Sequence, residues 1–332
     1  MEHGTETGPA TGPVRVGVLG CADIARRRML PALRECPGTE LVAVASRDAA
    51  KARATAEEAG CAAVTGYGAL LERTDVDAVY VPLPAALHAD WVEAALRAGK
   101  HVLAEKPLTT DLAATRRLSA LAAGARLVLR ENVMFVHHSQ HAAVRALLAD
   151  GAIGELRGLR AEFAIPRLPD TDIRHDAALG GGALWDTGVY PVRAALHFLG
   201  DRLETEGAVL VRGGPGRAVD TAGTALLRTP EGVTAQLAFG LDHGYRSAYE
   251  ITGSEGRLTV ERAFTPPAGH PPQVRLERRT GTEEITLTPD DQVLATVAAF
   301  ARAVRTGDAA PDPDVLGQAE LLDSIRRAAR VV

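Results

Sequence analysis

Apolar residues along this chain fall into two textures. Up to about residue 130, short β-branched runs alternate with stretches in which apolar positions recur every three or four residues. The runs are residues 14–20 (VRVGVLG), 40–45, 77–81, 101–108 and 126–130; helical stretches lie between them, through Leu33, over 48–59, from His88 to Gly99 and over about 111–123. Strands alternating with helices at this spacing predict a parallel sheet of βαβ units. Beyond Asn132 the texture changes. A helix is predicted over 139–149, then a strand over 155–165, an insertion over 166–179 and three glycines, Gly180 to Gly182. Seven further strands follow, at 208–212, 221–228, 232–239, 248–252, 256–261, 273–278 and 284–287. Tight turns such as Pro230-Glu231-Gly232 join them, so the second sheet should be mostly antiparallel. Two amphipathic helices, 292–305 and 316–330, complete the pattern, and no internal repeat is evident. The expected organisation is a polar, disordered leader over 1–13, a first domain over 14–130 and a second over 131–332.

Composition narrows the function. The chain has 332 residues, a net charge of −5 and 24% charged residues, which gives no support for binding nucleic acid or an acidic membrane. No apolar run reaches membrane-spanning length. The three cysteines, Cys21, Cys36 and Cys61, form no Cys-x-x-Cys, so neither a disulfide framework nor a zinc site is indicated and a reducing cytoplasm is expected. His137 and His141 would share a helical face, but no nearby carboxylate or cysteine completes a ligand set. No metal is expected.

Candidate chemistry gathers where the predicted parallel strands end. After Gly20 comes Cys21-Ala22-Asp23-Ile24-Ala25, in the strand, turn, helix context of a dinucleotide fingerprint. Ala22 and Ala25 stand where the second and third glycines of that fingerprint usually sit. The second strand ends in Ser46-Arg47-Asp48; a hydroxyl and a guanidinium suit a 2′-phosphate and hence NADPH, while Asp48 tells against it. Ser46 is equally an N-cap for the helix that follows. The stretch 101–108 delivers Glu105-Lys106 onto Pro107 at the ligand end of a strand, which makes Lys106 the first catalytic candidate. His88, at the start of a helix, reads on its own as a polar first-turn residue. Asp186 and Tyr190 lie four apart and would face one side of a helical turn, although Gly188 and Pro191 argue against a plain core helix. Tyr190 reads as readily as an amphipathic edge residue.

With these residues assembled, the chain resembles the glucose-fructose oxidoreductase / inositol dehydrogenase / MocA-like family. The resemblance is carried by residues 20–25, by Ala98-Gly99-Lys100-His101-Val102-Leu103-Ala104-Glu105-Lys106-Pro107, and by residues 180–191. Tyr80-Val81-Pro82-Leu83-Pro84, Glu131-Asn132-Val133-Met134-Phe135, His137-His138 and Gly188-Val189-Tyr190-Pro191 are most similar to the branch of dTDP-hexose C-3 ketoreductases of antibiotic deoxysugar pathways. Many relatives that oxidise free polyols carry histidine in place of Tyr190. The implied fold is an N-terminal Rossmann domain, a doubly wound parallel sheet, followed by an α+β domain with an open-faced, mostly antiparallel sheet. Family members associate through that face, which implies a homo-oligomer, dimer or tetramer.

The implied reaction is NADPH-dependent reduction of the 3-keto group of a dTDP-linked keto-deoxysugar. Hydride arriving at a carbonyl leaves an alkoxide that needs a positive donor and then a proton. Lys106 would supply the charge and Tyr190 the proton, its phenol acidified by the nearby ammonium, with Asp186 orienting one of them. Gly20, Cys21, Ala22, Asp23 and Ile24 would hold the pyrophosphate; Ser46, Arg47, Tyr67, Pro82, Leu83, Leu87, His88, Glu105 and Lys106 would line the rest of the cofactor. Arg174, His175 and Trp185 join Lys106, Asp186 and Tyr190 as expected substrate contacts. Two other readings stand beside this one: a dehydrogenase of free sugars or cyclitols, and a non-catalytic cofactor-binding regulator.

Overall fold

The computed structural model describes residues 12–213 and 218–332. All but the last two residues of the expected leader therefore lie outside the described residues. The first layer is a six-stranded, all-parallel sheet of β1 (Val14–Leu19), β2 (Thr39–Ser46), β3 (Ala62–Thr65), β4 (Ala78–Val81), β5 (His101–Glu105) and β6 (Leu129–Asn132). Its spatial order is β3-β2-β1-β4-β5-β6, so the chain reverses its winding between β1 and β4. The helices are α1 (Leu30–Glu35), reached through a π-helical turn over Ala25–Met29, then α2 (Ala49–Ala59), α3 (Tyr67–Leu71), α4 (His88–Arg97) and α5 (Leu112–Gly124). β3 and α3 were not anticipated: β3 is a short, largely exposed edge strand with little apolar pattern to betray it.

The second sheet has nine strands. They are β7 (Leu156–Ala164), β8 (Glu204–Arg212), β9 (Asp220–Arg228), β10 (Thr234–Gly240), β11 (Arg246–Gly253), β12 (Gly256–Glu261), β13 (Gln273–Arg278), β14 (Gly281–Thr286) and β15 (Ala329–Val331). Most neighbours are antiparallel, as expected; β7 pairs parallel with β10, and β15 parallel with β8. One face is covered by α6 (Ser139–Ala149), α7 (Ala183–Asp186), α8 (Val189–Leu199) and α10 (Pro313–Ala328), with Phe135, Phe163, Val192, Leu196, Phe264 and Leu322 in the core between. The remaining helix, α9 (Gln292–Thr306), crosses back: Val293, Val297 and Phe300 pack with Val16, Met29 and Leu33 under the parallel sheet.

Several boundaries differ from expectation for local reasons. The strand expected over 126–130 begins later, because Arg126 takes φ 55° in the turn that ends α5 and cannot start an extended run. Asp48, not Ser46, caps α2: its carboxylate accepts from Ala50 N–H and Lys51 N–H, while the Ser46 hydroxyl accepts from Asp48 N–H. The last helix starts at Pro313 behind the cap Asp312 and stops at Ala328, so the final turn expected to 330 is instead strand β15. Gly188 and Pro191 do not break a helix but open one. Gly188 precedes the first turn of α8 and Pro191 sits within it, where a missing N–H leaves no helical carbonyl unpaired.

Candidate active site

The site lies along the carboxyl edge of the parallel sheet, where adjacent strands leading in opposite directions open a crevice. β1 runs into Gly20, which adopts φ +128°, and a Cβ there would lie 3.1 Å from Leu83 and 3.7 Å from the Pro82 carbonyl. Only glycine serves at such a turn. Cys21 is buried, and Ala22, Asp23 and Ile24 open to the crevice at the start of the helix, whose first N–H groups have no helical acceptor. That cradle fits a pyrophosphate. At the end of β2, Arg47 is exposed beside Tyr67, while the Asp48 carboxylate is turned away into the α2 cap. The carboxylate that told against a 2′-phosphate is thereby occupied, while the guanidinium stays at the surface with the Tyr67 hydroxyl as its neighbour. Tyr67 is buried edge-on against Trp91 at 4.9 Å.

β5 ends in Glu105-Lys106, and the Lys106–Pro107 bond is cis. Lys106 Nζ donates to Asp186 Oδ1 at 2.7 Å and to the Asp186 carbonyl at 2.9 Å. On the far side, Arg174 Nε donates to Asp186 Oδ2 at 2.7 Å, and its Nη1 reaches Asp172 at 3.1 Å. Two cations and two carboxylates thus alternate in a row. Burial works against charge on Asp186, but Lys106 and then Arg174 outweigh it and bring its carboxyl down to about 2. Burial likewise lowers the Lys106 ammonium, and Asp186 followed by Tyr190 more than reverses this, so the lysine stays charged above its ordinary value. Arg174, paired first with Asp186, is held more firmly protonated still.

Lys106 Nζ stands 5.3 Å from the centroid of the Tyr190 ring, over its face. That ring is seated among Phe163 at 4.4 Å, Phe264 at 5.7 Å and Phe135 at 6.3 Å. The expected acidified phenol is not found. Burial pushes the Tyr190 hydroxyl above its ordinary value; Lys106 pulls it down, but the nearby Asp186 and Glu105 add to the burial. The reason is burial among those rings, the largest influence on the hydroxyl, which the Lys106 ammonium, itself paired with Asp186, does not offset.

The remaining expected residues divide. Glu105 is buried and accepts from Tyr80 Oη and Asn132 Nδ2, both at 2.6 Å. His88 is 1% exposed, and its ring nitrogens meet the Leu83 carbonyl at 2.7 Å and the Pro107 carbonyl at 2.8 Å. The ring braces the two loops that flank the crevice, with neither nitrogen left for a ligand. Arg174 reaches the site through Asp186, both ring nitrogens of His175 are buried without a partner, and Trp185 is half-buried against the second core. Pro82, Leu83 and Leu87 line the loop after β4, and the end of the 166–179 insertion closes onto it at the following Gly180, where a Cβ would meet Ala86 N at 2.8 Å. Tyr80 and Asn132 had been read only as parts of a motif. For Tyr80 the available signal is a hydroxyl within the otherwise apolar strand β4; Asn132, at the end of the polar run Arg130-Glu131-Asn132, carries none. Asn132 Oδ1 is buried without a partner.

One wall of this crevice is shaped for a dinucleotide and the other for an oxygen that gains negative charge, which is the pairing of a nicotinamide-dependent oxidoreductase. The chain belongs to the GFO/IDH/MocA family: residues 14–133 match its oxidoreductase family NAD-binding Rossmann fold and residues 141–259 its C-terminal domain. It is 57% identical to a dTDP-3,4-didehydro-2,6-dideoxy-alpha-D-glucose 3-reductase of Streptomyces violaceoruber, with 96% of each chain covered. The corresponding 3-reductase of Actinomadura kijaniata is 54% identical over 96% of each chain. Among solved structures, a 3-ketoreductase from Actinomadura kijaniata in complex with NADP and TDP-benzene superposes with a TM-score of 0.94 at 53% identity, covering 97% of this chain and 99% of that one. The family resemblance read from the motifs is borne out.

Proposed function

We propose that this protein reduces the 3-keto group of a dTDP-linked keto-deoxysugar to the C-3 alcohol with NADPH, a step of deoxysugar biosynthesis for antibiotics. The observation that carries the reading is the state of Lys106. An ammonium has three donors, and Asp186 takes two of them, leaving one N–H at the mouth of the crevice beside Tyr190. When bound, NADPH supplies the hydride. The residues that would hold it are Gly20 to Ile24 at the pyrophosphate, Ser46 and Arg47 at the 2′-phosphate, and Tyr67, Pro82, Leu83, Leu87 and Glu105 along its length.

Lys106 meets the substrate carbonyl oxygen with its free N–H and stabilises the negative charge that develops there. Asp186 keeps that ammonium charged and aimed, and Arg174 keeps Asp186 ionised. Tyr190, whose hydroxyl stays protonated at neutral pH, delivers the proton from Oη; an alkoxide is a much stronger base than a phenolate, so a raised phenol still donates. The aromatic seat of Tyr190, formed by Phe135, Phe163 and Phe264, holds the ring in place for that transfer. The supporting comparison is the 57% identity to a 3-reductase of such a sugar along nearly the whole chain.

The protein is further proposed to assemble with copies of itself through the open face of the nine-stranded sheet. There Val209, Val211 and Leu226 are 36%, 37% and 40% exposed, beside a trough of about 890 Å³. Exposed apolar side chains on a face that also carries Arg160, Glu162, Arg246 and Glu250 suit a mixed interface with another copy. Cytoplasmic residence suits the free cysteines, and no helix among the described residues is long and apolar enough to cross a membrane. The test is a panel of dTDP-linked keto-sugars, other nucleotide sugars and free sugars, scored for NADPH consumption. Turnover confined to the dTDP-linked 3-ketones is expected. Oxidation of a free sugar would point to the polyol branch, and cofactor binding without any turnover to a regulator.

A further inference from the structure

Behind the site lies a second ionic cluster that touches neither the cofactor cradle nor Asp186. Glu131 near the end of β6 and Arg193 on α8 form an ion pair at 2.7 Å, with side chains 1% and 3% exposed. Gln318 of α10, itself 1% exposed, donates Nε2 to both Glu131 oxygens at 2.8 and 2.9 Å and accepts from Arg193 Nε at 2.9 Å. The third partner of Glu131 is a backbone group: Leu108 N–H donates to Glu131 Oε1 at 2.7 Å. Each carboxylate oxygen therefore takes two donors.

Energetics alone give little reason for such a cluster. Desolvating a buried ion pair offsets most of its attraction, and well-packed apolar residues would join these elements at least as firmly. What apolar packing lacks is direction, which a guanidinium and a carboxylate impose on each other. The two groups that Glu131 joins are informative in this respect. Leu108 lies two residues after Lys106, and Arg193 lies three after Tyr190, one turn along the same helix. We infer that the Glu131–Arg193–Gln318 cluster positions the reacting groups, fixing the loop that carries Lys106 against the helix that carries Tyr190 from behind. Arg193 and Glu131 are positioning residues, and the inference rests on the roles proposed above for Lys106 and Tyr190.

The test uses the full chain. Wild type, Arg193→Met and the double variant Glu131→Gln/Arg193→Met are compared, each also in a Tyr190→Phe background. Arg193→Met strands a buried carboxylate and should lower the melting temperature; the double variant carries no buried charge and should regain it. Turnover of the keto-sugar should fall about 100-fold in both, the usual cost of misplacing reacting groups by about 1 Å, with NADPH affinity unchanged. In the Tyr190→Phe background the same changes should cost clearly less, because one of the two groups they position against each other is already missing. Independently of activity, amide exchange in residues 106–110 and 187–193 should quicken together in the double variant. Turnover that recovers along with the melting temperature would overturn the inference, as would an equal loss in both backgrounds. So would unchanged exchange in those two segments. Should the wild type leave the keto-sugar untouched, the proposed reaction fails, and the exchange measurement alone decides whether the cluster links the two segments.

Discussion

Asp186→Asn is the most direct probe of the charge row, because it keeps the shape of the side chain and removes only its charge. In the fold the Asp186 carboxyl lies at about 2, against an ordinary 3.8. That difference is worth about 2–3 kcal/mol of stability near neutral pH. A carboxyl depressed in the folded state contributes this amount in full above 3.8 and loses it as pH falls through about 2, with about half remaining near pH 3. The asparagine has no such term. The stability gap between wild type and variant, measured by urea denaturation, should therefore narrow by about 1 kcal/mol between about pH 7 and about pH 3. The lysine responds as well. Without Asp186, burial is the largest influence on Lys106 and lowers its pKa, so the variant's turnover should decline at a lower pH on the alkaline side than that of the wild type. A gap that stays constant over that pH span, with an unmoved alkaline limb, would refute the reading of Asp186 as the ionised hinge between Lys106 and Arg174.

Three further outcomes are expected. Lys106→Ala should cut turnover by about a hundredfold to a thousandfold with NADPH affinity largely kept, and Tyr190→Phe should be milder, since water or a sugar hydroxyl can replace part of a lost general acid; steady-state kinetics with cofactor titration separate the two, and a near wild-type rate for Lys106→Ala would rule the lysine out. Arg47→Ala should weaken NADPH far more than NADH in fluorescence titrations, because only NADPH presents the extra phosphate, whereas equal losses would mean that Arg47 does not read it. Leu226→Arg should place unpaired charge in the open sheet face and break the assembly proposed there, seen as a lower mass in sedimentation; an unchanged mass would refute an interface on that face.

What was legible in the chain depended on how local the determinant is. Gly20, Arg47 and Lys106 each end an apolar run with a residue that a buried strand cannot absorb, so their common edge follows from the period of the pattern and the parallel topology. The α7–α8 junction was misread because one residue pair carries two meanings: Gly188 and Pro191 disrupt a helix interior yet suit its first turn, and only the three-dimensional path shows which applies. Asp48 appeared as a charge against a phosphate until its carboxylate was seen bonded to two amides of α2. The seat of Tyr190 was beyond reach. Phe135, Phe163 and Phe264 come from three separate segments, and burial by distant rings reverses the direction in which Lys106 alone would move the phenol.

The return of α9 to the parallel sheet has a consequence for how the protein is made. Val293, Val297 and Phe300 form part of the floor beneath β1 and α1, although they are synthesised after almost the whole second sheet. Domains emerging from a ribosome ordinarily complete themselves in order, the first before the second. Here the cofactor-binding half stays open on one side, with Val16, Met29 and Leu33 uncovered, until residue 300 has cleared the exit tunnel. The nascent chain thus carries an unfinished apolar surface through most of its own translation, and neither half is complete until its closing helix, α9 for the first and α10 for the second, has emerged.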